Sequence, residues 1–375
     1  MNSPLAKADF LGLDQHTWLY TGAESPPHRG VTAAVENYLE GRQHGPGGRE
    51  RNADIEEKCK SNLAALSNAA PAQIALLSNA SEAISHLALA FEWKAGDNVV
   101  INTLEFPSGA LPWLTLKAQG VEIRVAEHRD YDFSVEDILA QVDENTRLVM
   151  TSHVSYLSGA RLDYQTLYRA LQRTDALLLL DSTQALGVVS VDATQADFVV
   201  SSTYKWLLAM HGAGVLCVNP ARTRELTTRF VGWRSVREMF APNRFENFER
   251  HEDARQWELG YPAYATIYAL EFSSRLLRET GIERIENHVL QLGAQLMAGL
   301  DDLGVALLTP RARARRAGNI AFVCARGEEL AERLRERGIF LWGGDGRARA
   351  SIHGFNDEGD IELLLQELRQ NRELL

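Results

Sequence analysis

The sequence predicts an α/β fold with a mostly parallel β-sheet and a smaller α+β region towards the C-terminus. The first indication is an unbroken aliphatic run from Ala176 to Leu180. Such a run suits a strand that is covered on both faces, as strands of parallel sheets are. Two more apolar runs follow it closely, at residues 198–200 and 215–218. Together they predict three buried strands around which the rest of the chain is arranged.

Two polar residues lie where the first two of these strands end. Asp181 directly follows the first run, and Lys205 comes shortly after the second. In open α/β sheets the chemistry lies just beyond the carboxyl ends of the strands. Pyridoxal 5'-phosphate (PLP) needs an amine for its Schiff base and a carboxylate that keeps its ring nitrogen protonated. Each residue alone is more often a solvated loop lysine or a helix N-cap, but the combination predicts a PLP site.

Composition excludes several classes of function. The chain has 375 residues, of which 45% are hydrophobic and 24% charged, as is usual for a globular protein with substantial cores. Its net charge of −11 argues against nucleic acid as the main partner and offers no attraction to anionic membranes. No apolar run approaches the roughly 20 residues of a membrane helix, and residues 1–13 show no secretory pattern. We therefore expect a cytoplasmic protein.

The cysteines and the possible metal ligands carry no recognisable motif. The three cysteines form no CxxC pair and are scattered through apparent helix and strands: Cys59, Cys217 and Cys324. This spacing favours reduced, buried thiols. No ligand spacing indicates a zinc site, so we predict no metal.

Earlier in the chain, a strand at 73–77 runs into a small polar turn and then a helix starting near residue 83. Ala80 and Ser81 lie in this turn. Backbone N–H groups at such a helix start are available to an anion, although an ordinary serine N-cap gives the same pattern. Two further strands, 98–102 and 148–151, each run into segments that contain aromatic residues, Phe106 and Tyr156. These turns extend the candidate site along one edge of the sheet.

The C-terminal third alternates helices with short strands. Helices are predicted at 282–303, 327–337 and 357–372, and strands at 319–324 and 339–342. This pattern indicates an α+β domain. We predict a large domain at 14–255 and a small domain formed by 256–375 together with 1–13. The basic run at 311–316 is expected to be a solvated loop.

Two segments carry a resemblance to the aminotransferase class V family, which holds cysteine desulfurases, selenocysteine lyases, kynureninases and isopenicillin N epimerase-like enzymes. They are Leu180-Asp181-Ser182-Thr183-Gln184-Ala185 and Ser202-Thr203-Tyr204-Lys205. The similarity extends from about Tyr20 to the C-terminus. It implies a PLP-dependent transferase fold of type I with a seven-stranded sheet, an amino-acid substrate, and a homodimer whose site is built across the subunit interface.

The resemblance also implies a role for each candidate residue. Lys205 would bind the cofactor covalently and exchange protons with the substrate, and Asp181 would pair with the ring nitrogen. The other expected cofactor contacts are Phe106 over the ring, Tyr156 and Gln184 at the phenolic oxygen, Ala80, Ser81, Ser202 and Tyr204 at the phosphate, and Tyr261 at the phosphate of the neighbouring subunit. Arg349 would bind the substrate carboxylate, which a planar guanidinium can grip with two hydrogen bonds.

The sequence departs from the desulfurase pattern in two places that matter for chemistry. Phe106 stands where desulfurases have a histidine, and phenylalanine cannot transfer a proton. The interval 338–349, where desulfurases carry a catalytic cysteine, contains none. We therefore predict a lyase of the desulfurase-like group that cleaves a C–S or related bond by β- or γ-elimination. An aminotransferase or epimerase of the same family, and a non-catalytic PLP-binding protein, are the alternatives.

Overall fold

The computed structural model describes residues 3–375. The strands are β1 Thr17–Trp18, β2 Ile74–Leu77, β3 Asn98–Asn102, β4 Glu122–Ala126, β5 Thr146–Ser152, β6 Leu177–Asp181, β7 Phe198–Ser202, β8 Gly214–Val218, β9 Asn319–Val323, β10 Ile339–Phe340, β11 Trp342–Gly344 and β12 Arg347–Ser351. The helices are α1 Arg29–Arg42, α2 Pro46–Leu66, α3 Ala80–Ala90, α4 Pro107–Leu114, α5 Val135–Leu139, α6 Tyr164–Leu171, α7 Pro220–Thr223, α8 Tyr264–Thr280, α9 Ile282–Asp302, α10 Gly327–Glu336 and α11 Glu358–Gln370.

Seven strands form one central sheet in the order β2-β8-β7-β6-β5-β3-β4. The pairs from β7 across to β4 are parallel, and only β8 runs antiparallel to its two neighbours. The predicted α/β fold with a mostly parallel seven-stranded sheet is therefore confirmed.

Both faces of the sheet are covered, which explains the aliphatic run in the sequence. Leu178 and Leu180 of β6 point into one hydrophobic core, and Leu177 and Leu179 point into the other. Successive side chains of a strand point to opposite faces, so a strand between two cores needs apolar residues at every position. The sheet is thereby fixed in the middle of the molecule, with its polar strand ends left for the site.

One local prediction from the sequence is wrong. The irregular stretch Gly45-Pro46-Gly47-Gly48, which no strand precedes, predicts a flexible loop, but α2 begins at Pro46. Proline is well suited to the first position of a helix, where no backbone N–H is needed. A Cβ atom on Gly48 would lie 2.1 Å from the carbonyl oxygen of Gly41 in α1. The glycines therefore permit a close approach between α1 and α2.

The C-terminal region is built on a second, antiparallel sheet in the order β11-β12-β9. The N-terminal segment packs on this C-terminal region. Its strand β1 pairs with β10 in a separate two-stranded sheet, and the Leu5 N–H donates to the Gly354 carbonyl oxygen over 3.0 Å. The proposed domain boundaries stay a prediction, and residues 1 and 2 lie outside the described residues. Within residues 3–375, no helix is long and apolar enough to cross a membrane.

The interval 338–349 folds as a tight hairpin. Asp345 and Gly346 connect β11 to β12 with φ angles of 50° and 71°. Positive φ at both central residues is the mark of a two-residue type I′ turn, for which Asp-Gly is a preferred sequence. No room is left for an extended loop, and β12 instead presents Arg347 and Arg349 as alternate residues on one face.

Candidate active site

The carboxyl ends of the parallel strands meet at one pocket. Its lining consists of Ala80, Ser81, Phe106, Ser108, Ser152, Val154, Tyr156, Asp181, Thr183, Gln184, Ser202, Tyr204 and Lys205. All the predicted cofactor contacts except Tyr261 are among these residues. Sequence elements as distant as α3 and the segment after β7 therefore converge on a single site.

Asp181 is the last residue of β6 and is buried. One of its oxygens, Oδ1, accepts a hydrogen bond from the Thr183 N–H over 2.8 Å. Burial raises the pKa of the carboxyl, while the bonds from Thr183 and the charge of Lys205 act in the opposite direction. The side chain is thus held by the turn that follows its own strand.

Lys205 lies three residues beyond β7 in the same pocket. Its Nζ is 5.7 Å from the ring centroid of Phe106 and 5.6 Å from that of Tyr204. Burial and the nearby positive charge of Arg349 lower the pKa of the amine to about 8, against the attraction of Asp181. An amine with this pKa can both accept and return a proton near neutral pH.

Gln184 is oriented by three neighbours. Its Oε1 accepts from Trp206 Nε1 over 2.8 Å and from Asn319 Nδ2 over 3.0 Å, and its Nε2 donates to the Gly22 carbonyl oxygen over 2.8 Å. Because an amide carries two N–H groups, one remains for the predicted contact with the phenolic oxygen.

The start of α3 provides a cradle for an anion. Asn79 caps the helix by accepting from the Glu82 N–H over 2.8 Å, and the first-turn N–H groups of Ala80 and Ser81 have no acceptor within the helix. A Cβ atom on Gly214 would lie 2.3 Å from the carbonyl carbon of Asn79, so only glycine lets β8 run this close to the cradle.

Ser108 is a pocket residue to which the sequence assigned no role. Its Oγ lies 2.7 Å from Ser81 Oγ. Ser108 therefore brings a second hydroxyl beside Ser81 from the start of α4. Ser81 and Ser108 each lie in the first turn of a helix that follows a strand, but only the folded structure shows that these two turns meet.

Glu105 was also missed as part of the site. Its Oε1 accepts from Asn102 Nδ2 over 2.5 Å and from the Ser152 N–H over 2.7 Å, and Ser152 Oγ lies 2.6 Å from Oε2. These bonds tie the end of β3 to the end of β5, where Ser152 lines the pocket. Burial raises the pKa of Glu105 to about 7 in spite of these hydrogen bonds.

Phe106 and Tyr156 form an aromatic wall. Their rings meet edge to face at 5.2 Å, and 46% of the Phe106 surface is exposed. The backbone carbonyl of Tyr156 accepts a hydrogen bond from Nη1 of the buried Arg349. Arg349 therefore lies beside the pocket, on the side of Tyr156, and close enough to Lys205 to affect its pKa.

Tyr261 lies away from the pocket. Half of its surface is exposed, and its hydroxyl accepts from Arg49 Nε over 3.0 Å. The expected role of Tyr261 at the phosphate of a neighbouring subunit stays a prediction.

None of the cysteines reaches the pocket. Cys59, Cys217 and Cys324 are all buried. Burial raises the pKa of the Cys217 thiol to about 12, and it also raises the pKa values of the Cys59 and Cys324 thiols. Thiols of this kind are poor nucleophiles at neutral pH.

A larger cavity of about 940 Å³ opens beside α6 and the start of α9. Two of the charged side chains in its lining are paired with each other, Arg161 Nη1 with Glu286 Oε1 at 2.6 Å. No amine faces a carboxylate at strand ends there, so the smaller pocket remains the candidate active site.

The residues of that pocket fit PLP. A lysine and an aspartate share the buried space, and the anion cradle with its two serine hydroxyls lies at the pocket's edge. The fold and the site therefore define an enzyme of the PLP-dependent class.

Comparison with known sequences and structures identifies the family. The aminotransferase class-V profile matches residues 17–364, so the chain belongs to this family, and its cofactor is PLP. A protein from Methanothermobacter thermautotrophicus named probable cysteine desulfurase is 25% identical, over 99% of this chain and 98% of its own length. Another of that name from Pseudomonas aeruginosa is 27% identical, over 96% of this chain and 94% of its own.

Solved structures share the fold. The apo structure of a cysteine desulfurase from Thermococcus onnurineus superposes with a TM-score of 0.91 at 22% identity, over 100% of this chain and 99% of that one. The cystine C–S lyase C-DES, in complex with its reaction product cysteine persulfide, gives 0.88 at 22% identity, over 96% and 98% of the two chains.

The charges around Lys205 predict how its reactivity depends on pH. Only the neutral amine reacts with an electrophile, so labelling of Lys205 by fluorodinitrobenzene in cofactor-free protein should rise with a midpoint near pH 8. Arg349→Met removes a like charge and should raise the midpoint, whereas Asp181→Asn removes an attractive charge and should lower it. Peptide mass spectrometry measures the labelled fraction. Shifts of the same sign in both variants would contradict this electrostatic account.

Proposed function

We propose that the protein is a PLP-dependent lyase that cleaves a C–S or related bond of an amino acid by elimination, without a catalytic cysteine. The observation that carries this proposal is the pairing of a complete lysine–aspartate pocket with a 338–349 segment that forms a tight hairpin and holds no thiol. Persulfide transfer needs an exposed thiolate beside the substrate sulfur. Elimination needs only a base at Cα and a sulfur substituent that leaves.

PLP, when bound, supplies a ring that withdraws electrons and stabilises negative charge on the substrate Cα. Lys205 holds the cofactor and then takes the Cα proton, a task that suits its pKa of about 8. Asp181 holds a proton on the ring nitrogen from within the pocket. Arg349 binds the substrate carboxylate and fixes which bond at Cα faces Lys205.

The phosphate contacts are proposed to come from the α3 cradle with Ser81, Ser202 and Tyr204. Ser108 is added to this set, because its hydroxyl is hydrogen-bonded to that of Ser81. Phe106 would cover the ring of the bound cofactor and would keep water from the reacting atoms. It offers no proton to a leaving sulfur, which favours substrates whose sulfur leaves as a stable thiolate or persulfide.

The names of the relatives support in part the proposal that this enzyme acts by elimination. C-DES, which shares this fold, is named a cystine C–S lyase. The curated relatives named above are called cysteine desulfurases, and both groups break a bond to sulfur. What separates the two reactions is the acceptor thiol, and this chain buries all three of its cysteines.

The decisive comparison uses the parent and the triple variant Cys59→Ala, Cys217→Ala, Cys324→Ala with L-cystine and S-alkyl-L-cysteines as substrates. We expect pyruvate and ammonia in equal amounts from both proteins, with rates within about threefold of each other, because buried thiols take no part. Enzymatic assay of pyruvate and ammonia measures this. An aminotransferase would instead form the oxo acid without ammonia and would need an amino acceptor.

A second readout protects this test against misfolding of the triple variant. The parent alone is incubated with L-cysteine, alkylated and mapped by mass spectrometry. An extra sulfur on any of the three cysteines, together with sulfide release upon reduction, would contradict the proposal. Unmodified thiols are the expected result.

We also propose that the chain forms a homodimer. The segment 229–250 exposes several large aromatic side chains: Phe230, Trp233, Phe240, Phe245 and Phe248. Phe240 and Phe245 are 82% and 88% exposed, which is unusual for residues of this size in a group. A second subunit that covers them would also bring Tyr261 towards the neighbouring phosphate site. Light scattering at micromolar concentration should give twice the chain mass of 41.7 kDa, and a monomer mass would contradict the proposal.

A further inference from the structure

The hairpin β11–β12 carries two arginines beside the pocket, although substrate binding in the proposed function uses only one. Arg347 and Arg349 are alternate residues of β12, so their side chains lie on the same face of the small sheet. Arg349 pairs with Trp342 across the hairpin. The guanidinium carbons of Arg347 and Arg349 are 4.5 Å and 5.7 Å from the centroid of the Trp342 ring.

Both guanidinium groups are buried and poorly compensated. Each residue is only 4% exposed, and the Nε atom of each has no hydrogen-bond partner. Among residues 3–375, the one carboxylate within 4 Å of either is that of Asp345, which is 3.4 Å from Arg347 Nη1. The Asp345 side chain is 75% exposed, so water screens most of its attraction.

Two neighbouring positive charges that are buried without a counter-ion lower the stability of the folded protein. Burial and the neighbouring Arg347 together lower the pKa of Arg349 to about 10. One substrate carboxylate would neutralise the guanidinium of Arg349, and Arg347 would keep only its solvent-screened contact with Asp345. The arrangement is electrically balanced when two anionic groups enter together.

The second arginine shares the face of β12 that meets the wall of the pocket. Arg349 Nη1 donates to the backbone carbonyl of Tyr156, which lines the pocket, and Arg347 projects from the same face two residues earlier. Burial raises the pKa of the Tyr156 hydroxyl, and the positive charges of both arginines act against this. A side chain that extends along this face from an α-carboxylate on Arg349 would therefore run towards Arg347.

We propose that the natural substrate is an amino acid with a second carboxylate at the end of its side chain, which Arg347 binds while Arg349 binds the α-carboxylate. The role of Arg349 in this pair rests on the proposed function. The substrate class is a cysteine derivative, thioether or disulfide, with a carboxylate beyond the sulfur. The guanidinium fork matches a carboxylate in two hydrogen bonds, and Trp342 holds both forks in place.

The test compares two isosteric substrates, S-carboxymethyl-L-cysteine and S-carbamoylmethyl-L-cysteine, which differ only in the charge of the distal group. The parent should prefer the carboxylate in kcat/KM by about tenfold to a hundredfold, the range expected of a charge-assisted hydrogen bond. Arg347→Gln should bring this ratio close to one. Asp345→Asn should increase it, because Asp345 competes for the same guanidinium and asparagine tolerates the positive φ of the turn.

A binding measurement tests the arginine pair without turnover. Calorimetry on cofactor-free protein should show glutarate binding at least about tenfold more tightly than its monoamide, and Arg347→Gln should remove this difference. If the protein turns over no amino acid but still prefers glutarate, the proposed function is wrong, and the inference that the two arginines bind two carboxylates is retained. Equal binding of both compounds by the parent would overturn the inference. If Arg347→Gln weakens activity or binding but leaves either ratio unchanged, then Arg347 only supports Trp342. That result would overturn the inference as well.

Discussion

The burial of an amine and a carboxylate in one pocket is the constraint on which the rest of the site depends. Asp181 ends β6, whose other side chains are all leucine, and Lys205 lies three residues beyond the neighbouring parallel strand β7, which is apolar up to Val200. The sheet therefore fixes their positions before any ligand binds. Low polarity around Lys205 lowers its pKa to about 8, and low polarity around Asp181 raises its pKa, so each group is brought closer to neutral pH. Such a pair suits a cofactor that needs a reactive amine and a protonated ring nitrogen.

The support for this pocket comes from the ends of the neighbouring strands. Glu105 joins the ends of β3 and β5 through Asn102 and Ser152, and Gln184 is held by Trp206 and other partners. These polar contacts lie in the interior, where an unpaired group is costly, so each one restricts the geometry of the next. The hairpin at the other side of the pocket adds the arginine face. A short type I′ turn there excludes a mobile loop and places fixed positive charge where relatives named desulfurases are expected to carry a thiol.

Much of the fold and of the candidate site could be predicted from the sequence, because the patterns that indicate them lie within short stretches of the chain. The run at 176–180 predicts a buried strand, and the residue types at 181 and 205 predict the chemistry. Almost every predicted helix and strand of the C-terminal region is present within a few residues of its expected ends. The family resemblance supplied the remaining expected cofactor contacts, and all of them except Tyr261 line the same pocket.

What could not be predicted depends on contacts between distant segments. Ser108 matters because α4 brings it against Ser81, and Glu105 matters because Ser152 lies opposite it in the folded sheet. The start of α2 was missed because Gly48 reads as flexible until the backbone of α1 is known to touch it. Arg347 had no separate signal, since only the hairpin register shows that it shares a face with Arg349.

Covalent attachment of the cofactor tests the central claim most directly. The purified protein is reconstituted with PLP, reduced with borohydride, digested and mapped by mass spectrometry, beside the variant Lys205→Ala. The account predicts a phosphopyridoxyl group on Lys205 in the parent and no lysine so modified in the variant, with loss of its yellow colour. Attachment to another lysine in the parent, or a reducible adduct that persists in Lys205→Ala, would contradict it.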